Sequence, residues 1–263
     1  MNLCDDCFFI ASHPNGTNIN ANCGSTHLEI LQDFVVRNRC DVGLAFDGDA
    51  DRFLAVDEKG NVVDGDKLIA VFAKHLKTKN KLKNNAAVVT VMSNMGFFKF
   101  CDDNGIHCEK TKVGDRYVLE NMLENDYIVG GEQSGHIIFL EHATTGDGEL
   151  SALKLLTVMK ETGRTLSDLA SEMQVFPQVL VNVRVSDFGK ARFPRDKEIK
   201  NAIESAEREL GDEVAFCAVA QMLASAIANN VTTFFTLFYI LPLNFTFIPY
   251  PITNRPWAVT LSY

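Results

Sequence analysis

The run Asp47-Gly48-Asp49-Ala50-Asp51-Arg52 constrains this chain more than any other segment. Three carboxylates at every second position can converge only where the backbone turns sharply. At that density their repulsion is tolerable only beside a cation. Three monodentate oxygens with open positions suit Mg²⁺, which keeps the rest of its shell for water or substrate phosphate. On either side, Val42-Gly43-Leu44-Ala45-Phe46 and Phe53-Leu54-Ala55-Val56 are short apolar runs that read as strands. An EF-hand loop spaces its acids similarly, and Glu58 stands at its last ligand position. That loop needs Gly where Arg52 stands, and helices rather than strands on its flanks. A solvated acidic hairpin turn is the bland alternative. It explains one Asp-Gly pair better than three alternating Asp followed by Arg. The segment reads as a metal-dependent phosphoryl-transfer site with Asp47, Asp49 and Asp51 as ligands.

A second motif, Gly130-Gly131-Glu132-Gln133-Ser134-Gly135-His136, lies between the strand-like Tyr127-Ile128-Val129 and Ile137-Ile138-Phe139-Leu140. Its glycines permit a turn and close approach to a ligand. Glu132, Ser134 and His136 alternate, so an extended loop would present all three to one side. A carboxylate, a hydroxyl and an imidazole suit sugar hydroxyls. Alone, the motif is matched equally well by a structural turn.

Together, the two motifs resemble the α-D-phosphohexomutase superfamily. The resemblance is closer to its bacterial phosphoglucosamine mutases. It runs through Asn18-Ile19-Asn20, Cys23-Gly24-Ser25-Thr26-His27, the Asp47–Arg52 run with Ala50 at its centre, Thr111-Lys112-Val113-Gly114-Asp115-Arg116-Tyr117-Val118, and Gly131–His136. Relatives acting on glucose or mannose phosphates usually carry Gly at the Ala50 position and a different centre in the sugar loop. The resemblance implies Mg²⁺-dependent conversion of glucosamine 6-phosphate to glucosamine 1-phosphate through a phosphoserine and a 1,6-bisphosphate. It implies metal ligation by Asp47, Asp49 and Asp51. Glu132, Ser134, His136 and Arg116 then match substrate contacts, and Lys112 and Arg52 match catalytic cations. Phosphoglucomutase or phosphomannomutase activity, or a non-catalytic sugar-phosphate or metal-binding remnant, are the competing readings.

The departures matter too. The resemblance implies four domains and about twice this length, with the phosphoserine in the first. This chain is expected to start after that domain. Ala11-Ser12-His13-Pro14-Asn15 looks like the serine loop, but it lacks the preceding Thr and transposes Pro and Asn. It aligns better as a turn at Pro14-Asn15-Gly16. The expected division is a partial second domain at 1–82 with the metal loop, a third at 83–175 with the sugar loop, and the start of a small α+β fourth domain at 176–213. From Val214 to Asn254 no side chain is charged. The phosphate-binding loop expected after the fourth domain's start is also missing. The apolar tail 214–263 therefore reads as out-of-frame translation after a frameshift. Gln221, Asn229-Asn230 and Pro242 interrupt it as a spanning helix.

The fold class read from the pattern is α/β, with three-layer α/β/α domains and mixed sheets. Strands alternate with helices throughout. Thr26 and Glu29 read as a capping box. Asp64-Gly65-Asp66 opens a helix with Leu68, Val71, Phe72 and Leu76 on one face. Asp115 reads as an N-cap, and Leu150, Leu153, Leu156 and Val158 as a helical face. Net charge is −9, which argues against a nucleic-acid surface and gives no basic stripe for membranes. An anionic hexosamine phosphate must then rely on the metal and on local cations. Seven cysteines, one Cys4-Asp5-Asp6-Cys7 cluster and no basic leader suggest reduced thiols in a cytoplasmic chain. Oligomeric state is not readable.

Overall fold

A computed structural model describes residues 7–13, 15–185, 195–210, 217–222 and 233–239. The chain divides into two compact units, Met1–Val175 and Phe176–Tyr263.

The first unit is α/β. Helix α1 (Glu29–Asn38) leads into β1 (Val42–Phe46), β2 (Phe53–Asp57) and β3 (Val62–Val63), an antiparallel meander in that order. Helix α2 (Gly65–Thr78) then crosses to β4 (Ala86–Thr90), α3 (Met95–Asp103), β5 (His107–Thr111), α4 (Asp115–Asn125), β6 (Val129–Gly131) and β7 (Ile137–Phe139). Their sheet has the order β5-β4-β6-β7. β4 is parallel to β5 and β6, and β7 is antiparallel to β6. Helices α5 (Gly148–Thr162) and α6 (Leu166–Ala170) finish the unit.

Period-two alternation explains why helices cover both faces of this sheet. All five residues of β4 are buried. Ala86 and Val88 pack with Val118 and Met122 of α4. Ala87 and Val89 face the larger core, with Leu68, Ile69 and Phe72 of α2, Phe97 of α3 and Leu155 of α5. That larger core also takes Phe53, Ala55 and Val63 from the antiparallel sheet, so the stretch Asn80 to Asn85 does not divide it. On the far face of the antiparallel sheet, Val35 of α1 packs with Ala45 and Val56.

Local expectations fare unevenly. Asp64 caps α2 by accepting from Lys67 N, and Asn94 caps α3 by accepting from Gly96 N. The Thr26/Glu29 capping box does not form. Leu28 is the N-cap of α1 and makes no side-chain cap bond, while Thr26 Oγ1 pairs with His27 Nδ1 at 3.1 Å. The cap of α4 is Gly114, and Asp115 is already helical. In α5 the buried face carries Ser151, Ala152, Leu155 and Val158, whereas Leu153 is exposed. A helix turn carries Leu153 away from the stripe that Leu155 and Val158 share. Asn15 Oδ1 accepts from Thr17 N and Asn18 N at 2.9 and 3.0 Å, which is the expected turn. Ser12, ahead of it in the chain, is exposed. Cys7, expected as a reduced thiol, is disulfide-bonded. Cys4, the other cysteine of that cluster, lies outside the described residues. Cys23, Cys40, Cys101 and Cys108 are free thiols.

The second unit holds β8 (Val179–Val185), α7 (Lys197–Leu210), β9 (Cys217–Met222) and β10 (Thr233–Tyr239). The strands form an antiparallel sheet in the order β8-β10-β9. Two segments of the apolar tail are thus strands: β10 pairs with the opening strand of the expected fourth domain, and β9 pairs with β10. The rest of the tail lies outside the described residues. No helix among the described residues is long and apolar enough to cross a membrane.

Candidate active site

The Asp47–Arg52 run is the turn between β1 and β2. Ala50 N donates to Asp47 O at 3.2 Å, and Ala50 sits in the left-handed region at φ 57°. That reversal brings the three carboxylates together. One oxygen from each of Asp47, Asp49 and Asp51 falls within 4.8 Å of the others. Arg52 contributes its backbone N–H to Asp47 Oδ1 at 3.1 Å. Its guanidinium lies 3.8 Å from Asp47 Oδ2 and 3.9 Å from Asp51 Oδ1. The guanidinium thus lies near two of the three carboxylates, and burial together with the charges of Asp47 and Asp49 raises the Asp51 carboxyl above its usual range, against the pull of His136. The cluster fits a hard divalent cation: oxygen donors only, surplus negative charge and open positions.

The sugar loop is held against this turn by the backbone. Arg52 and His136 form an antiparallel bridge, and Phe53 N donates to Gly135 O at 3.0 Å. The loop is not extended. Gly135 N donates to Glu132 O at 2.9 Å, and Gly135 lies at φ 93°, so the chain turns between Glu132 and His136. The three alternating side chains therefore part company. Ser134 is exposed, Glu132 is half-buried, and His136 is buried.

His136 has both ring nitrogens engaged. Gly146 N donates to Nε2 at 3.0 Å. An acceptor at Nε2 places the ring proton on Nδ1, which then donates to Asp51 Oδ2 across 3.1 Å. The ring thus holds the Asp51 carboxylate in place, and both of its nitrogens are occupied within the chain. The start of α5 also docks here, with Gly148 N donating to Ala50 O at 2.8 Å. Its N-terminal partial charge favours nearby carboxylates.

The Lys112–Arg116 segment joins the sugar loop, though not through its cations. Gly114 N donates to Glu132 Oε1 at 3.1 Å, and Asp115 Oδ2 lies 3.9 Å from His136 Nε2. Lys112 is exposed, with its ammonium 5.6 Å from the Tyr117 ring centroid. Arg116 is exposed and paired with Glu120, one helical turn on, at 2.7 Å. Glu58, the would-be EF-hand ligand, instead accepts from Ser167 N at 3.2 Å.

Sequence reasoning passed over the floor of the site. Asp64 and Asp66 flank the start of α2, beneath the sugar loop. Gly65 N donates to Gln133 O at 3.0 Å, and Gln133 Nε2 donates to Asp64 Oδ2 at 3.4 Å. Asp66 has no exposed surface, and its Oδ2 accepts from Asn94 N at 2.7 Å. Burial, then the neighbouring Asp64 charge, pushes the Asp66 carboxyl up to about 7. Burial raises Asp64 as well. Asp66 Oδ1 and Ser93 Oγ are both buried, and Ser93, with the Asn94 N–H, pulls partly against the upward shift of the Asp66 carboxyl. The signal in the sequence was the tripeptide itself, a second Asp-Gly-Asp opening an apolar helix.

Residues 64–176 match the family model for phosphoglucomutase/phosphomannomutase, alpha/beta/alpha domain III. A phosphoglucosamine mutase of Acetivibrio thermocellus is 57% identical over 208 residues, covering 79% of this chain and 46% of that protein. The chain belongs to the phosphohexomutase family, beside the phosphoglucosamine mutases. A second such phosphohexomutase, from Oceanobacillus iheyensis, is 54% identical over 208 residues, again 79% of this chain and 46% of the relative. The chain thus spans about half the length of the curated relatives it matches. Among solved structures, an Aspergillus fumigatus N-acetylphosphoglucosamine mutase in complex with GlcNAc-6P and magnesium superposes with a TM-score of 0.63. It has 17% identity and covers 85% of this chain and 50% of that one. A phosphoglucomutase/phosphomannomutase family protein from Burkholderia thailandensis gives a TM-score of 0.63 at 18% identity, covering 82% and 46%. At such identities the two likenesses bear on the phosphohexomutase fold alone.

Proposed function

We propose that this chain carries the metal and sugar loops of a Mg²⁺-dependent phosphotransferase. The reaction converts glucosamine 6-phosphate to glucosamine 1-phosphate through a phosphoserine and a 1,6-bisphosphate. The observation that carries the reading is the contact between the two loops, in which Asp51 of the acidic turn accepts from His136 of the sugar loop. Phosphoryl transfer asks a protein for positioning and charge neutralisation more than for covalent chemistry. Asp47, Asp49 and Asp51 would hold Mg²⁺, which neutralises charge on the transferring phosphoryl oxygens. Arg52 adds a fixed cation beside them. His136 orients Asp51, and Gly114 N–H orients Glu132. Glu132 and the exposed Ser134 are the groups offered to sugar hydroxyls. Lys112 supplies a reachable cation at the end of β5, while Arg116 is committed to Glu120.

Calorimetric titration of the chain with Mg²⁺, then with glucosamine 6-phosphate in its presence, tests the reading. Saturable binding of both, lost in Asp49→Asn, is expected. Glucose 6-phosphate and mannose 6-phosphate are expected to bind more weakly. Mg²⁺ binding unchanged by Asp49→Asn would remove the metal assignment. Equal affinity for the three sugars would remove the glucosamine assignment.

A further inference from the structure

Residue 133 is the centre of the sugar loop, between the two groups offered to a ligand, and two of its bonds run to the start of α2. Its carbonyl accepts from Gly65 N at 3.0 Å. Its carboxamide donates to Asp64 Oδ2 at 3.4 Å. Asp64 uses its other oxygen to cap α2, accepting from Lys67 N at 3.1 Å. The contact is close along the backbone as well: a Cβ on Gly65 would lie 2.1 Å from Glu132 O and 2.8 Å from Gln133 O. The underside of the loop is therefore seated on the first turn of a helix whose next residues, Leu68 and Ile69, are fully buried. A helix anchored in the core is a rigid support for such a site.

We propose that Gln133 is a positioning residue, pinning the loop to the N-cap of α2 so that Glu132 and Ser134 are presented in a fixed geometry to the sugar phosphate. This rests on the reading under Proposed function for the identity of the ligand, but the pinning itself does not. The pair has a definite polarity, with an amide N–H donor on the loop and a carboxylate acceptor on the cap. A glutamate at 133 would set two carboxylates against each other. Asparagine at 64 beside that glutamate would reverse the donor and acceptor, and asparagine caps a helix as well as aspartate does.

The test uses Gln133→Glu, Asp64→Asn and the double variant of the full chain. Two readouts are taken: amide hydrogen exchange at Gly65 and over residues 132–136, and the Kd for glucosamine 6-phosphate with Mg²⁺. Gln133→Glu is expected to speed exchange at Gly65 and in the loop by about tenfold, the equivalent of one lost hydrogen bond, and to weaken the sugar phosphate similarly. The double variant is expected to restore both to near the parent values. Restoration of exchange in the double variant without restoration of the Kd would leave the pair as a structural contact only and overturns the positioning role. Unchanged exchange in Gln133→Glu, or failure of the double variant to restore it, overturns the proposal. If the parent chain does not bind glucosamine 6-phosphate, the functional reading fails instead, and the exchange arm still decides the pinning.

Discussion

The tripeptide Asp-Gly-Asp occurs twice, at 47–49 and at 64–66, and the two copies have opposite fates. In the first, the carboxylates meet in a turn between antiparallel strands and stay open to a cation. In the second, one carboxylate caps a helix and the other is buried beneath the sugar loop. The flanks decide the difference. Period-two strands on both sides of the first copy force a hairpin. The 3.6-residue stripe of Leu68, Val71 and Phe72 after the second draws its acids into the start of a core helix. Even the glycines diverge. A Cβ on Gly48 would meet the flexible end of Ile19 at 2.5 Å, whereas one on Gly65 would meet backbone oxygen at 2.1 Å. Identical local chemistry thus forms an open acidic turn in one place and a buried support in the other.

The sharpest way to break this contrast is pH. Asp66 is raised from 3.8 to about 7 in the folded state, so between those values the native chain binds a proton that the unfolded chain has released. Its contribution to stability is complete below pH ~4 and is lost as pH rises through 7. The loss is about 4 kcal/mol, at 1.36 kcal/mol per unit. Denaturant unfolding of Asp66→Asn should show that this decline is gone and that the variant is more stable than the parent at pH 8. An unaltered pH profile would mean that Asp66 is not the buried acid described. The next largest effect is expected from Gly65→Ala, which should cost about 3 kcal/mol by overpacking against fixed backbone and should loosen the sugar loop in amide exchange. Stability within 1 kcal/mol of the parent, on the scale of a tolerated swap, would show that the loop can leave its seat.

At the other copy the expectations concern the ligand. Asp49→Asn should lower Mg²⁺ affinity about tenfold or more, at least as much as disturbing an outer partner of a metal site. Without metal it should leave stability unchanged or slightly raised, because it removes like-charge repulsion. A loss of stability without metal would assign Asp49 a structural role like that of Asp66. The smallest effect is expected for Gly48→Ala, under about 1 kcal/mol, since only the Ile19 side chain must give way. Thermal unfolding beside Gly65→Ala would read the two glycines on one scale. Equal costs would erase the distinction between an open turn and a seated helix start.

Much of the fold was legible because local pattern and global packing agree. Val42–Phe46 and Phe53–Val56 read as strands and are strands. Asp64-Gly65-Asp66 reads as the opening of a helix, and Asp64 is the N-cap of α2. The β-branched run from Ala87 to Met92 reads as a buried strand, and β4 is buried along Ala86–Thr90. The acidic turn was legible too, since three alternating carboxylates leave few other arrangements. Where a residue depends on a distant partner, the sequence was silent. Nothing local says that Thr26 leaves the helix cap to Leu28, or that Leu155 rather than Leu153 faces the core. Nothing local says that the sugar loop turns at Gly135 rather than running extended. His136 is the clearest case. Its identity was visible, but the Gly146 N–H that fixes its tautomer and the Asp51 carboxylate that takes its proton come from segments 10 and 85 residues away. By itself the sequence determined which residues are acidic, apolar or turn-forming, and so the elements and the acidic turn. Tertiary structure alone decided which of two identical tripeptides stays open and which supports, because burial and hydrogen-bond partners are set by chain segments that local periodicity does not see.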